Sequence, residues 1–120
     1  VFIENAIKNK NIEIEGDGED GLDFTYIEDL IQGIEKIINN KSSINQTYNL
    51  TYGKSEKINL LGNLIQSNFP KIKIKLKKRD KLIPLRGTLD ITKAKREIQY
   101  SPKFSLEVGM QKYIQWYKNL

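Results

Sequence analysis

Residues 16–21 read Gly16-Asp17-Gly18-Glu19-Asp20-Gly21, "GDGEDG", with glycines at the spacing G-x-G-x-x-G. That spacing marks a pyrophosphate-holding loop when a strand enters it and a helix leaves it at the third glycine. Its reading decides the fold: either a dinucleotide-binding βαβ unit starts here, or the stretch is a turn between a short strand and a later helix. A dinucleotide loop needs bare backbone N–H groups and a helix N-terminus facing the phosphates. Here the helical pattern begins only near Tyr26, and Asp17, Glu19 and Asp20 would repel an anion. The next apolar run after that helix lies beyond a long polar gap, so no βαβ unit closes. A calcium loop fits no better. Asp17, Glu19, Asp23 and Glu28 fall at its first, third, seventh and twelfth positions, but Gly21 and Leu22 stand where a ligand and the turn glycine belong. The stretch reads as an acidic, solvated turn.

With 120 residues, 38% hydrophobic and 29% charged, the chain reads as one small soluble domain, residues 1–120. No apolar run approaches the length of a membrane span, so no membrane partner is expected. The opening "VFIENAIKNK" has neither an initiator Met nor a signal-peptide core. Its Phe2, Ile3, Ala6 and Ile7 look like the last turns of a helix already under way, which is the expectation for a fragment. The absence of Cys excludes disulfides, thiolate zinc sites and Cys nucleophiles, and suits a reducing, cytoplasmic setting. The absence of His removes the commonest general base and metal ligand. A self-contained hydrolase or metalloenzyme is disfavoured; no metal site and no catalytic residue is assigned.

After the opening helical turns, four helices and at least three short strands are predicted, giving the order αβαβαβαα. "NIEIE" alternates as a half-buried strand through Ile12 and Ile14. Thr25 and Glu28 read as a capping box opening a helix whose Ile27, Leu30, Ile31, Ile34, Ile37 and Ile38 form a core-facing stripe. "QTYNL" reads as a second strand, and Leu60–Asn68 as a helix capped by Asn59 and weakened by Gly62. In "KIKIKLKKRDK", Ile72, Ile74 and Leu76 alternate with lysines, giving a strand with one buried and one lysine-covered face. Asp90 is expected to cap a helix through Ile98. Ser105 caps the last helix, with Leu106, Met110, Tyr113, Ile114 and Tyr117 on one side and "YIQWY" as core packing. The fold class is α/β or α+β, a small mixed sheet with packed helices.

Two features invite chemistry. The net charge of +5 gathers in Lys71–Lys81, which could be a nucleic-acid-binding stripe or a lysine-protected edge strand. Its alternate residues are aliphatic, so the aromatic platform that single strands need is missing, and the edge strand is the preferred reading. Arg86, in "IPLRGTLD", stands in a loop beside a glycine where bidentate phosphate contact is sterically easy; the alternative is a plain surface arginine. None of the six tyrosines is followed by Lys four residues on, so no Tyr-x-x-x-Lys acid–base pair is present.

Three stretches together resemble the C-terminal half of the NAD-dependent epimerase/dehydratase family, the extended short-chain dehydrogenase/reductases that act on nucleotide sugars. "FIENAIKNKNIEIEGDGEDGLDFTYIEDLIQGI" is similar to the family's helix, short strand, G-D-G, R-D-F-T-Y-V-D-D and helix. "QTYNLTYGKSEKINLLGNLI" resembles its Y-N-[IL]-x-x-G segment and following helix. "RGTLDITKAKREIQYSPKFSLEVGMQKYIQWYK" resembles R-G-x-L-D-I-S-K-A-K-x-x-L-G-Y-x-P-x-x-S-L-E-E-G-L. The three cover nearly the whole chain in the family's order.

The resemblance implies that GDGEDG joins a substrate-domain strand to its helix. It implies that NAD and the Tyr-x-x-x-Lys pair belong to an N-terminal Rossmann domain outside these residues. The parent protein would be an NAD-dependent epimerase or dehydratase, possible as a homodimer, with this part gripping the nucleotide diphosphate and inactive by itself. Ile12 and Ile14 match the segment lying against the nucleotide base. Arg86 matches a diphosphate-contacting arginine, with Arg79 its competitor because loop lengths vary there. Leu22 departs from the pattern, since the family has an arginine just before D-F-T-Y; either another cation compensates or the substrate differs from the usual UDP or dTDP sugars. The competing reading is a small basic nucleic-acid-binding module using Lys71–Lys81. A gel shift at two salt concentrations separates the two: the module retards oligonucleotides at micromolar concentration and releases them as salt rises, whereas the sugar-nucleotide reading expects no shift at either.

Overall fold

Ile12 and Ile14 organise the first half of the molecule, which is described over residues 1–120 by a computed structural model. They are the inward residues of β1 (Ile12–Glu15), at 0% and 1% exposure, while Glu13 and Glu15 face solvent. β1 pairs in parallel with a strand over Ile74–Lys77, in the register Ile12–Ile74, Glu13–Lys75, Ile14–Leu76 and Glu15–Lys77. Apolar residues thus meet on one face and opposite charges on the other, the pairing that stabilises a ladder on both sides. A helix over Phe2–Ile7 (α1) precedes β1, and a helix over Ile58–Asn68 covers the isoleucine face. The covering is close because Gly62 has no side chain. A Cβ there would stand 3.1 Å from both Ile14 Cδ1 and Ile74 Cδ1, so the glycine that weakens the helix locally seats it on the sheet. Ile3, Ala6, Ile65, Ile72 and Ile114 complete this core.

In chain order the elements are α1, β1, β2 (Gly21–Leu22), α2 (Ile27–Ile38), a 3-10 turn at Lys41–Ser43, β3 (Glu56–Lys57), α3 (Ile58–Asn68), β4 (Ile74–Lys77), α4 (Thr92–Ile98) and α5 (Leu106–Lys118). β2 and β3 form a second, antiparallel ladder, Gly21 opposite Lys57 and Leu22 opposite Glu56. The α/β class with a small mixed set of strands and packed helices is as the sequence reads. Ser105 caps α5 by accepting from the Val108 N–H at 3.4 Å. α4 starts after Ile91 with no side-chain cap; Asp90, one residue earlier, accepts from the Thr92 N–H at 2.8 Å, and hydrogen bonds from the Thr92 side chain and backbone hold its carboxyl below the usual range.

Several local expectations are corrected. Residues 46–50, "QTYNL", form no strand, because no other strand of the chain lies beside them. Tyr48 and Leu50 instead pack on a second core of Ile91, Ala94, Ile98 and Tyr100. Asn59 does not cap α3: its side chain donates to the Asp17 carbonyl (2.9 Å) and to Glu19 Oε1 (3.1 Å). The Thr25–Glu28 box is not formed, since α2 starts after Tyr26 with no side-chain cap. The next acid, Asp29, is 1% exposed and accepts from the backbone N–H groups of Lys103 (2.8 Å) and Phe104 (2.9 Å), tying α2 to the approach of α5. Leu76 is largely exposed, although Ile14, its partner in the ladder, is buried. Tyr113 and Trp116 stack on each other at 5.9 Å but remain about half exposed, so "YIQWY" is only partly core.

The largest correction concerns α2. Its stripe does not face a core: Ile27, Ile31, Ile34 and Ile38 are 55%, 47%, 44% and 76% exposed. The helix rests on Leu50 and Tyr100 at Gly33, and only Ile37 of the stripe packs with the second core.

Tyr100 generates a stability prediction. Its ring is buried, its hydroxyl has no hydrogen-bond partner, and burial together with the negative charges of Asp29 and Asp23 pushes its pKa up to about 12. An orphaned buried hydroxyl costs about 1–3 kcal/mol, so Tyr100→Phe should raise stability by roughly 1 kcal/mol near neutral pH. The unfolded tyrosine ionises near pH 10 and the folded one about two units higher. Stability therefore falls as pH rises from 10 towards 12, and Tyr100→Phe should flatten that fall. Urea unfolding at pH 7 and at pH 10–11 checks both; a less stable variant with an unchanged alkaline slope contradicts them.

Candidate functional site

Parallel strands end on the same side. The residues leaving β1 and those leaving β4 therefore run next to each other, and between them lies a cleft of about 270 Å³. β1 contributes Glu13, Ile14 and Glu15, the acidic turn and β2 contribute Asp20, Gly21 and Leu22, and the segment after β4 contributes Arg79, Ile83, Pro84 and Arg86. Phe2 and Ile58 close its apolar floor. Three of the four residues singled out in the sequence, Ile14, Arg79 and Arg86, line this one cleft. Ile12, the fourth, is wholly buried in the first core and contributes nothing to the lining.

The turn 16–20 is held firmly. Gly16 N–H donates to the Lys77 carbonyl (2.8 Å), Asn59 N–H to the Gly18 carbonyl (3.0 Å) and Ile58 N–H to the Asp20 carbonyl (3.1 Å). Gly18 has φ +76°, and a Cβ there would stand 1.9 Å from Asn59 Oδ1, so a larger residue would strain the backbone and push the Asn59 amide off its contacts. Glu19 accepts from Lys57 and Asn59, and these contacts lower its pKa. The turn leads into β2, and the helix that follows starts only at Ile27. The nearest helix start, that of α3, has its first donors on the carbonyls of the turn. This geometry does not fit the pyrophosphate of NAD.

The two arginines differ in state. Arg79 lays its stem beside Gly16, where an added Cβ would stand 3.6 Å from Arg79 Cβ; it pairs through Nη1 with Asp20, and donates through Nη2 to the Ile83 carbonyl (2.7 Å). Arg86 is exposed and takes part in none of the chain's ion pairs. Glu13 is paired with Lys77, whose pKa that hydrogen bond raises. The lysines of β4 stand opposite Glu13 and Glu15, so the basic stripe is partly neutralised from the neighbouring strand. Chemically the cleft offers an apolar floor and one free guanidinium, the pattern that suits a flat apolar body carrying an anion.

Sequence reasoning did not assign Asp20, Ile83 or Pro84 to the site. The signal was in "RDKLIPLR", an apolar pair set between two arginines. A second cavity, of about 280 Å³, lies between Tyr26, Ile27, Phe104, Met110 and Tyr113, next to the exposed stripe of α2.

No family model matches the chain. Individual proteins do. An uncharacterized UDP-glucose epimerase of Bacillus subtilis is 30% identical over an alignment of 121 positions that covers 99% of this chain and 38% of that protein. The dTDP-glucose 4,6-dehydratase of Haemophilus influenzae is 26% identical over 131 aligned positions, covering 98% of this chain and 38% of its own. The UDP-glucuronic acid 4-epimerase of Bacillus cereus, solved with UDP-glucuronic acid and NAD, superposes with a TM-score of 0.86 at 28% identity, over 98% of this chain and 38% of that one. The chain thus spans a little over a third of the length of these relatives. By sequence and by fold it matches a part of the NAD-dependent epimerases and dehydratases, the extended short-chain dehydrogenase/reductases, consistent with a C-terminal fragment of that family.

Proposed function

We propose that this chain is the nucleotide-sugar-binding part of an NAD-dependent sugar-nucleotide epimerase or dehydratase, and that it is inactive alone. The observation that carries this reading is the convergence of Ile14, Arg79 and Arg86 on the cleft at the ends of β1 and β4. The base of the nucleotide lies against Ile14 and the apolar floor, and the diphosphate is met by Arg86, the guanidinium with no internal partner. Leu22 lines the same cleft, so the cation usual at that position in the family is replaced by an apolar surface, and Arg86 carries more of the charge. Holding the substrate in one orientation removes entropy before reaction, which can be worth several kcal/mol of barrier.

NAD, bound outside these residues, supplies hydride transfer. The exposed isoleucines of α2 and the apolar cavity beside Ile27 are the surface on which the N-terminal cofactor domain sits. Burying an isoleucine is worth about 1.5–3 kcal/mol, so four half-exposed ones make a substantial docking energy. The whole protein is a soluble enzyme with a nucleotide sugar as substrate.

Calorimetry should show no NAD binding to the chain alone, and tight binding would contradict the reading. Joined to the cofactor domain, the chain should turn over a nucleotide sugar. In that protein Arg86→Ala should raise KM about tenfold with little change in kcat, and an unchanged KM would remove Arg86 from the site. Left without its neighbour, the chain should self-associate through α2. Sedimentation should show association that Ile31→Lys and Ile34→Lys abolish; a monomer at all concentrations would argue against a docking role for that face.

A further inference from the structure

Of the two arginines in the cleft, Arg79 is already occupied. Asp20, fixed at its backbone by the Ile58 N–H, holds its Nη1, while the Ile83 carbonyl takes its Nη2. The pair is only partly exposed, and both members line the cleft. A phosphate entering there meets a guanidinium with both Nη groups engaged, one of them by an internal carboxylate, and it meets that carboxylate as a like charge.

We propose that Asp20 is a specificity-determining residue of this cleft: it is an internal competitor that a ligand's phosphate must displace from Arg79. The inference rests on the nucleotide-binding reading given above and adds to it the reason why one arginine is free and the other latched. Arg86 makes the first contact with an anion, and the second phosphate contact forms only when Arg79 exchanges Asp20 for the ligand. Ligands with a single weak anionic group do not drive that exchange. A nucleoside diphosphate, with two adjacent phosphoryl groups, engages Arg86 and Arg79 together. Asp20 thereby sets the cleft against ligands with a single phosphoryl group and keeps the overall affinity moderate.

The probe is UDP, titrated calorimetrically into the protein and its variants, with UMP as the single-phosphate control. Asp20→Asn should bind UDP about tenfold more tightly than the natural chain and narrow the preference for UDP over UMP. In an Arg79→Ala background the same Asp20→Asn change should give less than a threefold gain, because the competition has lost its object. Asp20→Ser is the second variant and should act in the same direction should Asp20→Asn fold poorly. Wild-type affinity in both Asp20 variants, with Arg86→Ala still weakening UDP, overturns this inference alone. A full gain that persists without Arg79 also overturns it, since Asp20 would then act by simple repulsion. UDP bound by no variant, Arg86 present or not, overturns the nucleotide reading and this inference together.

Discussion

The parallel pairing of β1 with β4 is the constraint on which the rest depends. Antiparallel strands would send their exits to opposite ends of the sheet; parallel ones send both to the same end. Because Ile12 faces Ile74 and Ile14 faces Leu76, the acidic turn after Glu15 and the arginine-bearing segment after Lys77 are forced side by side. Ligand clefts in open α/β sheets lie beyond the carboxyl ends of strands for this reason. Slipping the register by one residue would turn both isoleucines of β1 to solvent and bury Glu13 and Glu15, so the ladder is strongly specified. The same register sets Lys75 and Lys77 across from Glu13 and Glu15, and Lys77 forms an ion pair with Glu13.

A buried charge joins the two halves. Asp29 has almost no solvent contact, yet both carboxylate oxygens receive a backbone N–H, from Lys103 and from Phe104. Burial of a carboxylate is costly unless its hydrogen bonds are made, and here they fix the entry to α5 relative to α2. With α5 so placed, Ile114 reaches the first core while Tyr26 and Phe104 pack with ring centroids 4.9 Å apart. The second core is smaller, and its Tyr100 retains an unpartnered hydroxyl.

What the sequence disclosed was periodic or carried by motif, and what it hid depended on neighbours. Alternation announced β1 and β4, and Ser105 and Asp90 announced two helix starts, because each signal lies within a few residues. Family order, from GDGEDG through "RGTLDITKAK", disclosed the architecture. The capping box at Thr25 is not formed because α2 starts one residue later, after Tyr26, while the acid that matters is Asp29, whose partners lie some seventy residues away. Asn59 was drawn from its cap by the Asp17 carbonyl. Arg79 and Arg86 were both nominated as phosphate ligands, but their different states follow from Asp20, whose role was invisible until the turn was folded against α3. Ile12 and Ile14 share one strand face and looked equivalent; only the ends of the strands decide that Ile14 borders the cleft.

The isoleucine face of α2 carries the same lesson at larger scale. The molecule measures 50 × 38 × 17 Å, and its radius of gyration is 16.6 Å. A compact domain of this length would have about 14 Å. A body 17 Å thick holds two layers of secondary structure, since a helix with its side chains spans about 10 Å. Any helix in such a body leaves one flank open, and a helix built for water carries polar residues there. α2 carries Ile27, Ile31, Ile34 and Ile38 instead, spaced at three and four residues as a buried stripe is. Beside it, residues 46–50 run without a partner strand. A hydrophobic stripe and a strand-like segment, both unmatched within the chain, are what a third layer would need to find. Under the proposed function the cofactor domain is that layer; within this chain the periodicity of α2 marks an apolar face that neither core covers.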